Sequence, residues 1–203
     1  MTISALHQTS HDRLTVEFND GSEIKSTLGV ITDMMLYCGK DLDDSSIDKL
    51  KTASERSLAL ERSIEYVSRR PMSKKELHTK LLEKGMSEDT ADYCSQKLED
   101  LGIINDASYA ASLARHYSAK GYGASKIKNE FYRHGISREL YEEALDCAYI
   151  NKDKIRKIIE SKLIDPSDRA QIKKVSDALL RRGFTFDEVK TALKNYTDEL
   201  EEY

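Results

Sequence analysis

Apolar residues fall in one register around three glycines, Gly85, Gly135 and Gly183. Eight positions before them stand Leu77, Ile127 and Val175, and four before stand Leu81, Phe131 and Leu179. Six after come Ala91, Tyr141 and Val189. Spacings of four and eight put these side chains on one face of a helix. Each glycine follows a basic helical end and precedes an apolar residue and then Ser87, Ser137 or Thr185. Glycine closes a helix in the left-handed conformation at little cost, and the hydroxyl residue can cap the next helix. The glycines lie 50 and 48 residues apart, so the pattern is a tandem repeat of helix, glycine turn and helix.

A further helix precedes each pair. In the first copy it carries Leu60, Ile64 and Val67 and stops at Pro71. Ser73-Lys74-Lys75-Glu76 then restarts the chain as a capping box. The second copy has Tyr109, Leu113 and Tyr117, broken by Gly121-Tyr122-Gly123. The third has Ile155, Ile158 and Ile159 before a loop at Asp165-Pro166-Ser167-Asp168. The predicted fold is mainly α, a tandem array of three three-helix repeats over 56–104, 105–149 and 150–203. Each unit is near the size at which an isolated domain is marginal, so the repeats should lean on one another.

Residues 1–55 differ in kind. Leu14, Val16 and Phe18 alternate with polar residues, Asn19-Asp20-Gly21 signals a turn, and Ile24 to Leu28 can return antiparallel. The pattern predicts a small N-terminal β-hairpin extension, a short helix around Ile31 to Tyr37 and another from Ser45 or Ser46 through Leu50. A lone hairpin is marginal in water, so it should pack on helices or on a partner.

Composition narrows the class. With 39% hydrophobic and 33% charged residues and only two prolines, the chain reads as globular. It has no apolar run of membrane-spanning length, and Met1 to Ser10 lacks a signal-peptide core. Cys38, Cys94 and Cys147 are odd in number and far apart, and read as reduced, packed thiols of a cytosolic protein. The five histidines show no metal-binding spacing, no Cys-x-x-Cys occurs, and Gly121-Tyr122-Gly123 lacks the Gly-Lys-Ser/Thr of a phosphate loop. No catalytic, cofactor or metal residue is expected, and the chain is read as a non-enzyme.

Charge adds a candidate surface. The net charge of −4 lies in residues 1–60, which hold ten acids and six bases. Arg62 to Lys84 holds seven Lys/Arg against three Glu, and Arg115 to Arg138 holds six against Glu130 alone. The tail Asp198-Glu199-Leu200-Glu201-Glu202 is acidic. Basic segments at equivalent places in adjacent repeats form a candidate stripe for phosphates or an acidic protein surface. Its members are Arg69, Arg70, Lys74, Lys75, Lys80 and Lys84, then Arg115, Lys120, Lys126, Lys128 and Arg133, with Tyr122 as the aromatic best placed to stack on a base. For Tyr117 and Phe131, helical spacing favours core packing.

Tyr66-Val67-Ser68-Arg69-Arg70-Pro71-Met72-Ser73-Lys74-Lys75-Glu76-Leu77 resembles the opening signature of the RecX family. Leu98 to Asp106 and the stretch from Gly121-Tyr122-Gly123 to Gly135 resemble it too. The likeness is close from about Leu60 to Leu145, and the third repeat carries it mainly through Leu179 to Phe184. The hairpin with Asn19-Asp20-Gly21 resembles the family's variable N-terminal extension. The resemblance implies a bacterial cytoplasmic regulator active in DNA repair, recombination and the SOS response. It implies RecA recombinase and its nucleoprotein filament as partners, with inhibition of ATPase and strand exchange. Weak, non-specific binding of single-stranded DNA, no membrane association, no cofactor and a monomeric state are expected with it. The alternative from another class is a helix-turn-helix-like transcription factor on duplex DNA. Against it, the second helix of each pair, such as Glu88 to Leu98, is acidic.

Overall fold

The computed structural model describes residues 1–149 and 151–201, except for the side chains of 199–201. Of the acidic tail, the Asp198 side chain is therefore described, while those of 199–201 and the whole of Glu202 lie outside the description. The chain forms two compact units, Met1–Ile104 and Asn105–Tyr203.

The first unit opens with an antiparallel sheet, β1 (Ile3–Gln8), β2 (Arg13–Phe18) and β3 (Glu23–Thr27), in the order β1-β2-β3. The hairpin forms as expected: Leu14 lies opposite Ser26 and Val16 opposite Ile24. Gly21 takes φ +81° at the turn. A third strand joins it, pairing Leu6 with Val16. Only Ile3 of β1 is buried, so its sequence carries no clear alternation. The predicted helix near Ile31–Tyr37 lies earlier, as α1 (Leu28–Asp33), with Thr27 as its cap.

The helix expected to end at Leu50 instead runs on. Asp43 caps α2 (Asp44–Arg69), a helix of 26 residues that serves both the sheet layer and the first repeat. Its N-terminal half packs under the sheet in a core of Ile3, Val16, Phe18, Val30, Ile31, Leu36, Leu42, Ile47 and Leu50. Small polar residues let the layers approach: Ser54 donates to Ser26 Oγ at 2.8 Å, buried. Its C-terminal half meets α3 (Lys74–Glu83) and α4 (Glu88–Asp100) around Ala59, Met72, Leu77, Leu81, Ala91, Cys94 and Leu98. Leu60, Tyr66 and Val67 flank this core, but Ile64 is exposed and Ser63 takes the buried position.

The second unit holds the other two repeats. Helices α5 (Asp106–Ala119), α6 (Ala124–Arg133) and α7 (Tyr141–Asp146) enclose Ala110, Ala114, Ile127, Phe131, Ile136 and Ala144. Helices α8 (Lys152–Glu160), α9 (Arg169–Arg181) and α10 (Phe186–Glu201) enclose Ile155, Ile159, Leu163, Val175, Leu179, Phe184 and Val189. The residues eight and four before each repeat glycine are all fully buried.

The glycines close their helices as the sequence predicts, with φ +82°, +68° and +89° at Gly85, Gly135 and Gly183. Each turn is sealed by two reaching-back hydrogen bonds, such as Met86 N to the Leu81 carbonyl at 3.1 Å and Gly85 N to Leu82 at 2.9 Å. The capping box at Ser73 and Glu76 forms, Ser87 caps α4, and Thr185 and Glu188 cap each other's backbone. Ser137 does not cap. A 3-10 turn over Arg138–Leu140 follows it, and its hydroxyl meets no helical amide. Of the cysteines expected to be packed, only Cys94 is buried; Cys38 and Cys147 lie on the surface in connections after α1 and α7. Burial pushes the Cys94 thiol up, which keeps it protonated.

Within the second unit, backbone groups join the two repeats alongside side-chain contacts such as Asn151 Nδ2 donating to the Ala119 carbonyl at 3.2 Å. Gly123, the residue before α6, carries no side chain to cap that helix. Instead Gly123 N donates to the Arg182 carbonyl at 2.9 Å, and Ser125 N to the Gly183 carbonyl at 3.1 Å. The carbonyl end of α9 thus satisfies the amide end of α6, two opposite partial charges in contact. A Cβ at Gly123 would overlap the Gly183 carbonyl, and one at Gly183 would overlap Lys126 N.

Candidate functional site

The basic residues singled out in the sequence divide between the two units. In the first, α2 ends at Arg69 because Arg70 must be extended before Pro71, and α3 begins at Lys74 after a four-residue connection. This short connection gathers the cations at one helix end and along the next helix. Arg69 pairs with Glu65 one turn earlier on α2. Arg70 meets Glu76 at 3.3 Å, and Lys74 reaches across to Glu99 on α4 at 2.7 Å. Lys80 lies over the Tyr66 ring, 3.9 Å from its centre, a cation–π contact. Lys75 and Lys84 are exposed and form no ion pair among the described residues.

In the second unit the cations flank Glu130, whose side chain is only 4% exposed. Lys126 approaches its carboxylate at 3.2 Å and Arg133 at 3.0 Å, and the Tyr117 hydroxyl donates to it at 3.2 Å. Burial alone would raise the Glu130 pKa, but Lys126, Arg133 and Tyr117 together outweigh it and hold the carboxyl below its usual range. Burial, and then the Glu130 charge, push the Tyr117 hydroxyl up. Lys128 pairs with Glu142 at 2.6 Å, and Lys120 lies 5.7 Å from the centre of the Tyr117 ring. Arg115 is exposed without an ion pair among the described residues.

Tyr122 is half-buried, with its ring against Tyr117 and the Arg182 guanidinium 5.5 Å from its centre. The exposed aromatic of this region is Tyr132, at 73%. It borders an open cleft of about 430 Å³ with Lys128, Asn129, Arg138, Tyr141 and Glu142. Its place one residue after the buried Phe131 is the sequence signal for that exposure.

A depressed carboxyl pKa means that the unfolded chain binds more protons, so Glu130 contributes stability above its unfolded pKa and loses it as pH falls through the folded one. Glu130→Gln should cost about 1–3 kcal/mol at neutral pH, because two cations lose a buried charged partner. The gap from the native chain should shrink as pH falls below the usual glutamate range, about 4.3, and through the lower folded pKa, where the native carboxyl is itself protonated. Urea unfolding of both chains at neutral and acid pH measures this, and an equal gap at the two would contradict it.

Comparison with known proteins bears on the helical units. Residues 59–98 match the model for the RecX first three-helix domain, and 105–145 that for the second. A regulatory protein RecX of Xanthomonas axonopodis pv. citri (strain 306) is 32% identical over 140 residues, covering 66% of this chain and 85% of that protein. One of Enterococcus faecalis (strain ATCC 700802 / V583) is 25% identical over 211 residues, covering 99% of this chain and 78% of its own length. A crystal structure of a regulatory protein RecX has the same fold, with TM-score 0.76, 23% identity, and 96% and 98% of the two chains covered. The crystal structure of RecX from Lactobacillus salivarius gives TM-score 0.63 at 28% identity, covering 70% of this chain and 97% of that one.

Proposed function

This chain belongs to the RecX family, whose members are regulatory proteins, and from that we propose that it binds the RecA recombinase and its nucleoprotein filament and inhibits ATP hydrolysis and strand exchange. The action is steric and electrostatic. Helical repeats present a long surface rather than a pocket, and repeated weak contacts along a filament combine into avidity. The observation that supports this best is the recurrence of exposed cations on the family-matched helices of both units, Lys75 and Lys84 in one and Arg115 and Lys120 in the other. Such cations suit the phosphates of filament DNA, giving weak, sequence-independent affinity that falls with salt. The site of action is the cytoplasm, and the protein acts as a monomer without a cofactor. No helix among the described residues is long and apolar enough to cross a membrane.

Duplex reading by a helix-turn-helix is less well supported. The position of a recognition helix is taken by α4, whose first turn holds Glu88 and Asp89, with Asp92 exposed beyond them. Those carboxylates would face the phosphates of a groove. Titrating the purified protein into RecA hydrolysing ATP on single-stranded DNA tests the proposal. Hydrolysis should fall in proportion to added protein, while the protein alone releases no phosphate. Unchanged RecA turnover at several-fold excess would remove the RecA-inhibitor reading.

A further inference from the structure

One cluster lies apart from these cations. His78 on α3 faces Glu88 and Asp92 on α4, across the Gly85 turn. His78 Nε2 lies 3.0 Å from Asp92 Oδ1 and 3.4 Å from Glu88 Oε1, and the three donor atoms all lie within 4.8 Å of one another. Glu88 and Asp92 are one helical turn apart, so their side chains share a face. His78 Nε2 is sealed from solvent, yet neither carboxylate is aligned to accept a hydrogen bond from it. An imidazole nitrogen held this close to two carboxylate oxygens, without an aligned hydrogen bond to either, is an arrangement that a metal ion would satisfy.

From this geometry we propose that His78, Glu88 and Asp92 form a binding site for a divalent transition-metal cation of the zinc class. A cation about 2.0–2.2 Å from each ligand sets donors about 3.0 Å apart in octahedral and about 3.4 Å apart in tetrahedral coordination, which brackets both distances from His78. One imidazole with two carboxylates suits zinc, nickel or manganese; calcium takes oxygen donors alone. The two carboxylates are exposed, at 70% and 71%, and free to close on the ion. A bound ion ties α3 to α4 and stiffens the glycine turn between them. The site owes nothing to the RecA reading and stands or falls separately. It was invisible to sequence spacing because His78 and Glu88 are ten residues apart on different helices.

The test uses the full chain, free of affinity tag and kept reduced, titrated calorimetrically with zinc chloride and with calcium chloride. One zinc should bind per chain and raise the unfolding temperature, and calcium should do neither. His78→Ala and Asp92→Asn should each weaken zinc binding by more than about tenfold, since each removes a ligand. Replacing both surface cysteines, Cys38→Ser with Cys147→Ser, should leave it unchanged. Cobalt(II) supplies a readout independent of heat: its visible d–d bands should appear with the native chain and vanish with His78→Ala. If His78→Ala fails to fold, Asp92→Asn decides, because the Asp92 side chain is exposed and leaves no cavity. Absence of zinc binding overturns the proposal. So does binding that survives Asp92→Asn undiminished, or that depends on the cysteines.

Discussion

Gly123→Val is expected to cost about 3 kcal/mol or more and to release the third repeat from the second. The physical reason is the contact at the junction, where the Gly123 α-carbon has no room for a substituent beside the Gly183 carbonyl. Overpacking of this kind typically costs about 1–3 kcal/mol. Moving the backbones apart also breaks the hydrogen bonds from Gly123 to Arg182 and from Ser125 to Gly183, each worth about 1 kcal/mol. Gly85→Ala separates packing from backbone strain. It meets a left-handed φ of +82° at a repeat turn, a strain that Gly123 at φ −87° does not face, but nothing lies within 4 Å of the added carbon. Its cost should therefore be the conformational one alone, about 1 kcal/mol. Urea unfolding compares the two, and amide exchange locates the loss: α8, α9 and α10 should lose protection in Gly123→Val while α2 to α4 keep theirs. Equal destabilisation by the two variants would mean that overlap at the junction costs no more than one strained turn, against the tight packing argued for Gly123.

That junction also marks where sequence reasoning stops. The repeat was legible because its cause is local: apolar spacing of four and eight, a glycine at each helix end, and hydroxyl caps. The six positions so identified, from Leu77 to Leu179, are all buried. Gly121-Tyr122-Gly123 was legible only as a break, because the partner that explains Gly123 lies 60 residues further on. The length of α2 was hidden for a related reason. Its buried face passes through Ser54 and Ser63, small polar residues that suit close packing but interrupt an apolar pattern. Strand β1 was hidden because an edge strand with one buried side chain needs little alternation.

The candidate surface was legible as charge but not as geometry. Glu130 looked like a lone acid diluting a basic segment, yet it is buried and draws Lys126 and Arg133 onto itself. Lys74 looked like a free cation at a helix start, yet Glu99 on the next helix faces it. Neither pairing has a short-range signature. Arg69 with Glu65, four residues apart on one helix, did have one. Tyr122 was chosen for its glycine neighbours, and those glycines instead bring Arg182 and Tyr117 around its ring.

These pairings decide which cations should matter most for binding. A lysine already facing a carboxylate loses that contact when it meets a phosphate, whereas an unpaired one does not. Lys75 with Lys84, and Arg115 with Lys120, are therefore expected to dominate contact with filament DNA. Reversing either pair to glutamate should lower affinity for single-stranded DNA by about tenfold or more at low salt, and reduce the slope of log affinity against log salt by about 1.4, or about 0.7 for each lost phosphate contact. The same variants should need several-fold more protein to suppress RecA-driven ATP hydrolysis. Lys49→Glu with Lys51→Glu, on the exposed face of α2 in the acidic N-terminal part, changes net charge equally and controls for long-range repulsion. It should shift affinity modestly, with little change in slope, because repulsion over more than a Debye length is screened. Fluorescence anisotropy across a salt series, beside the ATPase titration, separates these outcomes. If the control loses as much affinity and slope as the other two pairs, net charge governs binding and the repeat surfaces do not. If the DNA slope falls in both pairs while RecA inhibition stays intact, the protein–protein contact carries the regulation, and the cations serve only to bring the chain to the filament.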